Sequence, residues 1–164
     1  MPPPFRPDRP RAVQLLAGAA LLSGASVAQA QTLAAPVPAP QAAVAETVAT
    51  GLEHPWAVAF LPEGRFLVTE RPGRMRVVQA DGRINPPLQG VPEVAAGGQG
   101  GMLDVITDSD YARNRTIYFC YAEPGPGRSN STALARARLS NDGRSLEQLR
   151  VLFSQKPKYA SGAH

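Results

Sequence analysis

Two segments of the chain repeat the same plan of four short strands, and this repeat constrains the fold more than any other feature. Each strand is a short run of β-branched, aromatic or small apolar residues bounded by glycine, proline, asparagine or aspartate. The apolar runs 56–61 and 102–107 begin 46 residues apart. A four-strand period of this length is typical of β-propeller blades. Strands are expected at 45–50, 56–61, 66–70 and 74–79 in the first unit, and at 102–107, 116–122, 132–139 and 147–153 in the second.

The sequence therefore predicts an all-β chain that forms the first blades of a β-propeller. One blade cannot bury both of its faces, and propellers solve this by arranging roughly four to eight blades in a ring. We expect residues 44–164 to supply about two blades, and hence a truncated, N-terminal part of such a domain. The alternative is a small β-sandwich in which eight strands form two sheets.

The first thirty residues have the pattern of an export signal. Three arginines precede an uncharged apolar stretch over residues 12–27, and an Ala-Gln-Ala triplet at the end of the segment is a small-x-small cleavage site. A membrane anchor is the alternative, but the apolar stretch is shorter than the roughly 20 residues that span a bilayer. We expect a Sec-type signal peptide over residues 1–30, a periplasmic or secreted mature chain and no stable membrane insertion after cleavage. Residues 31–43 are rich in alanine and proline and predict a linker.

Charge and cysteine content exclude several classes of function. The net charge is +4, and the predicted signal holds three of the 17 basic residues against one of the 13 acidic ones. No cluster of lysine or arginine with interleaved aromatic residues follows it, so nucleic acid is not an expected partner. Cys120 is the only cysteine in the sequence, which excludes a disulfide framework within the chain and Cys-x-x-Cys metal or redox chemistry.

The glycine-rich segment at residues 97–101 is the main candidate for a functional site. Glycine adopts positive φ and lets a ligand approach the backbone closely, so the four glycines can present the Gln99 amide in a cleft. Turns that lead into the innermost strands of propeller blades ring one mouth of the central channel. In this register those turns are residues 54–56, 99–101 and 161–164.

Each of these turns carries a polar, hydrogen-bonding side chain at an equivalent position. His54 precedes a proline and a tryptophan and is expected to be a structural turn residue. Gln99 either faces a ligand or ties loop backbone together. His164 ends the sequence, yet histidine is the side chain best suited to accept a proton near neutral pH. The sequence matches no catalytic triad, His-x-x-x-His pair or phosphate-binding loop, and no metal ligand is assigned.

Four stretches give the chain a family likeness. They are residues 51–62 (GLEHPWAVAFLP), 90–94 (GVPEV), 99–105 (QGGMLDV) and 161–164 (SGAH). With these stretches the chain from residue 44 onward resembles the soluble PQQ-dependent sugar dehydrogenases, the glucose/sorbosone dehydrogenase family that includes the aldose sugar dehydrogenases. The combination of His-Pro-Trp with the later Gln-Gly-Gly block is fairly specific, whereas either motif alone is weak.

The resemblance implies a six-bladed propeller, exported to the periplasm, that holds pyrroloquinoline quinone (PQQ) with calcium at the channel mouth. Members oxidise an aldose at C1 to the lactone and pass the electrons to an external acceptor. His164 matches the histidine that takes the proton from the C1 hydroxyl, and Gln99 matches a glutamine that contacts substrate and cofactor. Ala163 stands where the well-known glucose dehydrogenases of the family have an acidic residue, and the aldose-type members vary at this position, which favours broad aldose specificity. Most ligands of PQQ and calcium would follow His164, so the chain alone is expected to be inactive.

Two other functions remain open from the sequence. One is a non-catalytic propeller that binds a ligand or a protein, and the other is a calcium-dependent propeller lactonase or hydrolase. Aspartate and asparagine clusters on several inner strands would favour the lactonase, whereas arginine and lysine positions after His164 would favour the quinone.

Overall fold

The structure, a computed structural model, describes residues 43–160 and Gly162. The predicted signal peptide and the linker up to residue 42 lie outside these residues. Among the described residues no helix is long and apolar enough to cross a membrane. The described part is almost entirely β-structure, with one short helix, α1 (Tyr111–Asn114), and one turn of 3₁₀ helix at Pro62–Gly64. Its strands are β1 (Pro55–Phe60), β2 (Phe66–Glu70), β3 (Arg74–Val78), β4 (Met102–Thr107), β5 (Thr116–Pro124), β6 (Asn130–Leu139) and β7 (Leu146–Ser154).

Consecutive strands form two antiparallel sheets that do not exchange strands. The first sheet has the order β1-β2-β3, and the second has the order β4-β5-β6-β7. Val58 faces Val68 in the first sheet, and Phe119 faces Ala135 in the second. This meandering order is that of propeller blades, in which each sheet is built from neighbouring segments. The structure confirms two strand units, and seven of the eight expected strands lie on the apolar runs that predict them.

The prediction of a strand at residues 45–50 is wrong, and the described chain has no strand before β1. The outer edge of β3 is already occupied by the segment that follows it, where the Asn85 N–H donates to Val77 O at 2.9 Å. The N-terminal segment instead passes the hairpin turn beyond β3, where the Val48 carbonyl lies against Gly82. The first unit therefore has three strands and an edge segment rather than four strands.

The two sheets pack face to face around one apolar core. The inward side chains of β2 and β3 are almost completely buried, as are those of β5 and β6. Burial of each large apolar side chain contributes about 1.5–3 kcal/mol, so this contact is the main force that holds the sheets together. The largest fully buried apolar side chains are Leu67, Met75, Val77, Met102, Ile117 and Phe119.

A buried threonine connects the inner strands β1 and β4. A β-bulge interrupts the register between Pro55 and Ala57 in β1, and the Thr69 hydroxyl fills it by accepting the Ala57 N–H at 3.1 Å. The same hydroxyl donates to Leu103 O of β4 at 2.7 Å. Because Thr69 is fully buried, water cannot replace it as a partner. This side chain therefore sets the position of one inner strand relative to the other.

The outer face of each sheet has large apolar side chains that are exposed. Phe60 of β1 is 74% exposed and Ile106 of β4 is 62% exposed. Ile106, Cys120 and Leu134 line an apolar depression on the second sheet, and burial raises the pKa of the Cys120 thiol, which keeps it uncharged at neutral pH. A β-sandwich has polar side chains on its outer faces, whereas propeller blades have neighbours on both faces. The arrangement therefore favours propeller blades over the β-sandwich alternative.

We expect Thr69→Val to lower the free energy of unfolding of the full-length protein by about 1–3 kcal/mol, because the Ala57 N–H and the Leu103 carbonyl lose their bonds to the buried hydroxyl. Thr50→Val is the same change at an exposed position and should alter stability by less than about 0.5 kcal/mol. Urea unfolding followed by tryptophan fluorescence measures both differences. Equal effects of the two substitutions would show that the Thr69 bonds do not stabilise the contact between the sheets.

Candidate functional site

The turns that precede the inner strands β1 and β4 lie at one end of the two sheets. Because the strands are antiparallel, the start of β1 and the β2–β3 turn lie at the same end of the first sheet, as do the start of β4 and the β5–β6 turn in the second. This end, which we name the rim, consists of residues 53–55, 71–73, 97–101, 125–129, 155–160 and Gly162. It contains His54 and Gln99, so the structure brings these two sequence-predicted positions to one end of the fold.

Residues 97–100 form a tight turn with Gly98 and Gln99 at its tip. The Gly100 N–H donates to Gly97 O at 2.8 Å, and the Gly97 N–H donates back to Gly100 O at 3.4 Å. The Gln99 side chain is exposed, and its amide makes no hydrogen bond within the part of the chain that the structure describes. The turn therefore presents an amide with both donor and acceptor atoms at the rim.

Two of the glycines are required by the protein's own backbone. Gly98 has a φ of 55°, and a Cβ at this position would overlap Gly162 O. Gly101 has a φ of 149°, and a Cβ there would overlap the carbonyl of Arg71. Gly97, in contrast, has open space where a Cβ would stand. The sequence predicts that these glycines let a ligand approach the backbone. At Gly98 and Gly101 the group that approaches is instead another segment of the same chain.

Arg71, which sequence reasoning missed, joins the first two predicted turns. Its N–H donates to His54 O at 3.0 Å, and its carbonyl accepts the Met102 N–H at 3.0 Å. Its guanidinium Nη1 donates to Gly98 O. Only the Thr-Glu-Arg-Pro-Gly turn marks this position in the sequence, and a turn motif does not predict which distant backbone the arginine meets.

Of the two histidines singled out from the sequence, only His54 lies within the described residues. His54 is exposed, has a φ of 46° and lies in a bend before β1. His164 lies outside the described residues. It follows Gly162 by two positions, and the Gly162 carbonyl accepts the Gln99 N–H at 2.8 Å. The third predicted turn therefore meets the second at Gly162, while the roles of His164 and Gln99 stay predictions.

Contacts with β5 and β6 fix the segment that leads to Gly162. The Tyr159 N–H donates to Asn130 O at 3.2 Å. The adjacent Lys158 side chain is only 9% exposed, and its ammonium lies 2.5 Å from Glu123 Oε2. A charged group this deeply buried requires a counter-charge, so the Lys158–Glu123 pair anchors the segment.

A fully buried carboxylate lies behind the rim in the first sheet. Glu70 ends β2, accepts the Glu53 N–H at 2.6 Å and the Arg74 Nε–H at 2.7 Å, and lies 3.6 Å from Arg76 Nη1. Burial alone would raise the pKa of this carboxyl, but the hydrogen bonds and the two guanidinium charges outweigh it and hold the pKa below its ordinary value. The carboxylate is ionised and fully engaged, which makes it a structural group rather than a proton acceptor.

Glu123 repeats this arrangement in the second sheet. It lies next to the end of β5, and hydrogen bonds from Lys158 and Ser154 hold the pKa of its carboxyl below its ordinary value against the effect of burial. Each sheet thus pairs a glutamate near the end of its second strand with a basic residue. The pair in the second sheet holds the segment that leads to His164.

A depression of about 550 Å³ opens beside the Gln99 turn. Arg128 is the only charged side chain among its described lining residues, and no group of three acidic, histidine or cysteine side chains suited to a metal ion occurs in residues 43–160. This end of the fold therefore offers amide and guanidinium donors, which suit a polar or anionic organic ligand. The depression is lined by Ala95, Ala96, Gly97, Gly98, Arg128, Asn130, Ala160 and Gly162.

Sequence comparison relates the chain to one family. A model of the Glucose / Sorbosone dehydrogenase family matches residues 52–164, a stretch that includes Gln99 and His164. Aldose sugar dehydrogenase YliI of Escherichia coli strain K12 is 42% identical over 127 residues, which cover 77% of this chain and 34% of that protein. Uncharacterized protein slr1608 of Synechocystis is 40% identical over 126 residues, which cover 71% of this chain and 30% of that protein. The chain spans about a third of the length of these relatives.

Solved structures give the same relationship. A glucose dehydrogenase shares 51% identity and a TM-score of 0.63, and the match covers 66% of this chain and 32% of that chain. The PQQ-bound form of aldose sugar dehydrogenase from Streptomyces coelicolor shares 31% identity and a TM-score of 0.60, and the match covers 70% of this chain and 34% of that chain. The two sheets therefore have the β-propeller fold of these dehydrogenases, as the repeat predicts.

Gly98→Ala should disturb the turn at the rim, whereas Gly97→Ala should not. An added methyl group at position 98 meets Gly162 O at a left-handed φ, while position 97 has open space. We expect Gly98→Ala to lower the free energy of unfolding by about 1–3 kcal/mol and Gly97→Ala by less than about 0.5 kcal/mol, as measured by urea unfolding. Equal stability of the two variants would contradict the close contact of Gly98 with Gly162.

Glu123→Gln should destabilise the protein at neutral pH and have a smaller effect in acid. A carboxyl with a lowered folded-state pKa stabilises the fold above its unfolded-state pKa of about 4.3, and this contribution is lost as the pH falls through the folded-state value. The Glu123 pKa is lowered in this way, and a neutral amide cannot balance the Lys158 charge. Urea unfolding at about pH 7 and about pH 3.5 measures the difference, with Glu93→Gln at an exposed position as the control. The same difference at both pH values would show that the ion pair does not contribute.

Proposed function

The chain belongs to the glucose/sorbosone dehydrogenase family, and we propose that it forms part of a PQQ-dependent enzyme that oxidises aldose sugars at C1 to lactones. One observation carries the proposal: the family match runs through the rim, where Gly97 and Gly98 of the Gln99 turn line an open depression. The names of similar proteins, an aldose sugar dehydrogenase and the PQQ-bound form of another, supply the substrate class and the cofactor. Because the chain spans about a third of these relatives, the activity is proposed for the full-length protein that contains this segment.

The described residues fit part of a cofactor site. When bound, the quinone supplies the hydride acceptor of the reaction. We propose Gln99 as one of its contacts, a role supported by an exposed amide that can donate and accept hydrogen bonds at the tip of the turn. Arg128 adds a positive charge to the neighbouring depression, which suits the carboxylates of an anionic quinone. Calcium would accompany the quinone. No calcium ligand is assigned among the described residues, which hold no cluster of three acidic, histidine or cysteine side chains.

In the proposed reaction the sugar loses a proton and a hydride at the same position. His164 accepts the proton of the C1 hydroxyl, for which a neutral imidazole is well suited near neutral pH. The quinone would supply the acceptor for the hydride of C1, so that the two losses together leave the lactone carbonyl. Gln99 orients the sugar for this step by hydrogen bonding. The bond from the Gln99 N–H to Gly162 supports this assignment, because it brings the chain that carries His164 to the Gln99 turn.

The proposal extends to the compartment and to the electron acceptor. The basic start, the apolar stretch and the small-x-small site within residues 1–30 support cleavage of a Sec-type signal and a periplasmic location. The mature enzyme passes its electrons to an external acceptor. Neither a membrane anchor nor a nucleic acid has a role in this reaction.

Sugar-dependent reduction of a redox dye by the full-length protein, supplied with PQQ and calcium, tests the proposed function. We expect activity on several aldoses, because Ala163 lacks the acidic group expected of a glucose-specific site, and no activity without PQQ. Failure to oxidise any aldose in the presence of PQQ would overturn the proposal.

Two substitutions test the roles of individual residues in the same assay. Gln99→Leu should lower kcat/KM by about 10–100-fold because the substrate loses a hydrogen bond, and His164→Ala should lower kcat by about 10²–10⁴-fold. Gln89→Leu is the matched control, since Gln89 is exposed and pairs with Ser145 of the β6–β7 turn, which lies at the end of the second sheet opposite the rim. Full activity of His164→Ala would exclude this histidine as the base and leave the family membership untouched.

A further inference from the structure

We propose that Arg71 is a positioning residue for Gln99: it holds the peptide group between Gly98 and Gln99 in the orientation that directs the Gln99 side chain toward the ligand. The inference rests on the proposed function for the identity of that ligand. The geometry of the peptide group does not depend on the proposed function. Arg71 acts through Gln99 and touches neither sugar nor quinone in this account.

Both polar atoms of this single peptide group are bound by other parts of the chain. Its carbonyl belongs to Gly98 and accepts a hydrogen bond from Arg71 Nη1. Its N–H belongs to Gln99 and donates to Gly162 O at 2.8 Å. A planar peptide that is held at both ends cannot rotate. The two bonds therefore fix ψ of Gly98 and φ of Gln99 together, and with them the direction in which the Gln99 side chain leaves the turn.

The composition of the turn makes such a restraint necessary. Gly97 and Gly98 have wide conformational freedom. Four-residue turns occur in related types that differ mainly in the orientation of the central peptide, and the hydrogen bonds between Gly97 and Gly100 can close the turn in either orientation. The bonds from Arg71 and to Gly162 are the ones that distinguish the two orientations.

The main chain of Arg71 is itself fixed between the sheets. Its N–H and carbonyl are bonded to His54 O and to the Met102 N–H, each at 3.0 Å. The methylene stem of its side chain lies against Gly101, where a Cβ would overlap it. Because Arg71 is fixed to the first sheet, it holds the turn before β4 of the second sheet in a defined position relative to the first sheet.

The Arg71 guanidinium has the Gly98 carbonyl as its acceptor and forms no salt bridge with any residue that the structure describes. The nearest carboxylates along the chain, Glu53 and Glu70, bind Arg74 instead. The guanidinium is thus directed to the turn by a single charge-assisted hydrogen bond, which is stronger than a bond between neutral groups.

Amide hydrogen exchange on the full-length apoprotein tests this restraint without any requirement for activity. We expect Arg71→Ala to accelerate exchange of the Gln99 N–H about tenfold, as loss of one hydrogen bond predicts. Arg71→Lys keeps a donor and should give a smaller change. Arg83→Ala is the matched control, because Arg83 is an exposed arginine paired with Asp81 beyond β3, and it should leave the exchange unchanged.

Folding of the variants is checked by far-UV circular dichroism and by Tm. Every Arg71 variant keeps the main-chain bonds to His54 and Met102, so we expect native secondary structure in each. Unchanged exchange of the Gln99 N–H in a folded Arg71→Ala protein would overturn the proposal.

Steady-state kinetics with PQQ separate a positioning role from a merely structural one. If Arg71 acts through Gln99, Arg71→Ala lowers kcat/KM about tenfold in the wild-type background and causes no further loss in the Gln99→Leu background. Equal losses in both backgrounds would overturn the proposal. If the wild-type protein oxidises no aldose, the proposed function fails, and the exchange rates alone decide whether Arg71 holds the peptide.

Discussion

Apolar packing between the two sheets determines where every group at the rim lies. Leu67 and Met75 of one sheet share a fully buried core with Ile117 and Phe119 of the other, and protein interiors are as closely packed as organic crystals. The inner strands therefore cannot slide past each other, and the buried hydroxyl of Thr69 fixes their positions further. As a consequence, the turn that follows β2 meets the turn that precedes β4.

Sequence patterning predicts most strands because inward and outward side chains alternate along them. In β5, Ile117, Phe119 and Tyr121 are buried while Cys120 between them is half-buried. Residues 45–50 have a similar composition and yet form no strand. Their conformation depends on the segment after β3, which takes the open edge of the sheet. Competition for an edge involves parts of the chain that are distant in sequence, and local periodicity contains no information about it.

In the candidate site, as in the strands, the sequence predicts the local features but not the contacts between distant segments. The glycines around Gln99 predict a tight turn with an exposed amide, and the structure has such a turn. They do not reveal that Gly98 accommodates another chain segment or that Arg71 bonds to its carbonyl, because that bond joins residues 27 positions apart. The role of His164, which lies outside the described residues, rests on family likeness.

A crystal structure of the full-length protein with bound PQQ tests the central claim, which is that the rim is the working end of these blades. We expect the quinone at the rim, with the Gln99 amide within about 3.5 Å of quinone or sugar and His164 on the same side. A quinone at the opposite end of the second sheet, near the β6–β7 turn, or a Gln99 side chain that contacts neither quinone nor sugar, would contradict this claim.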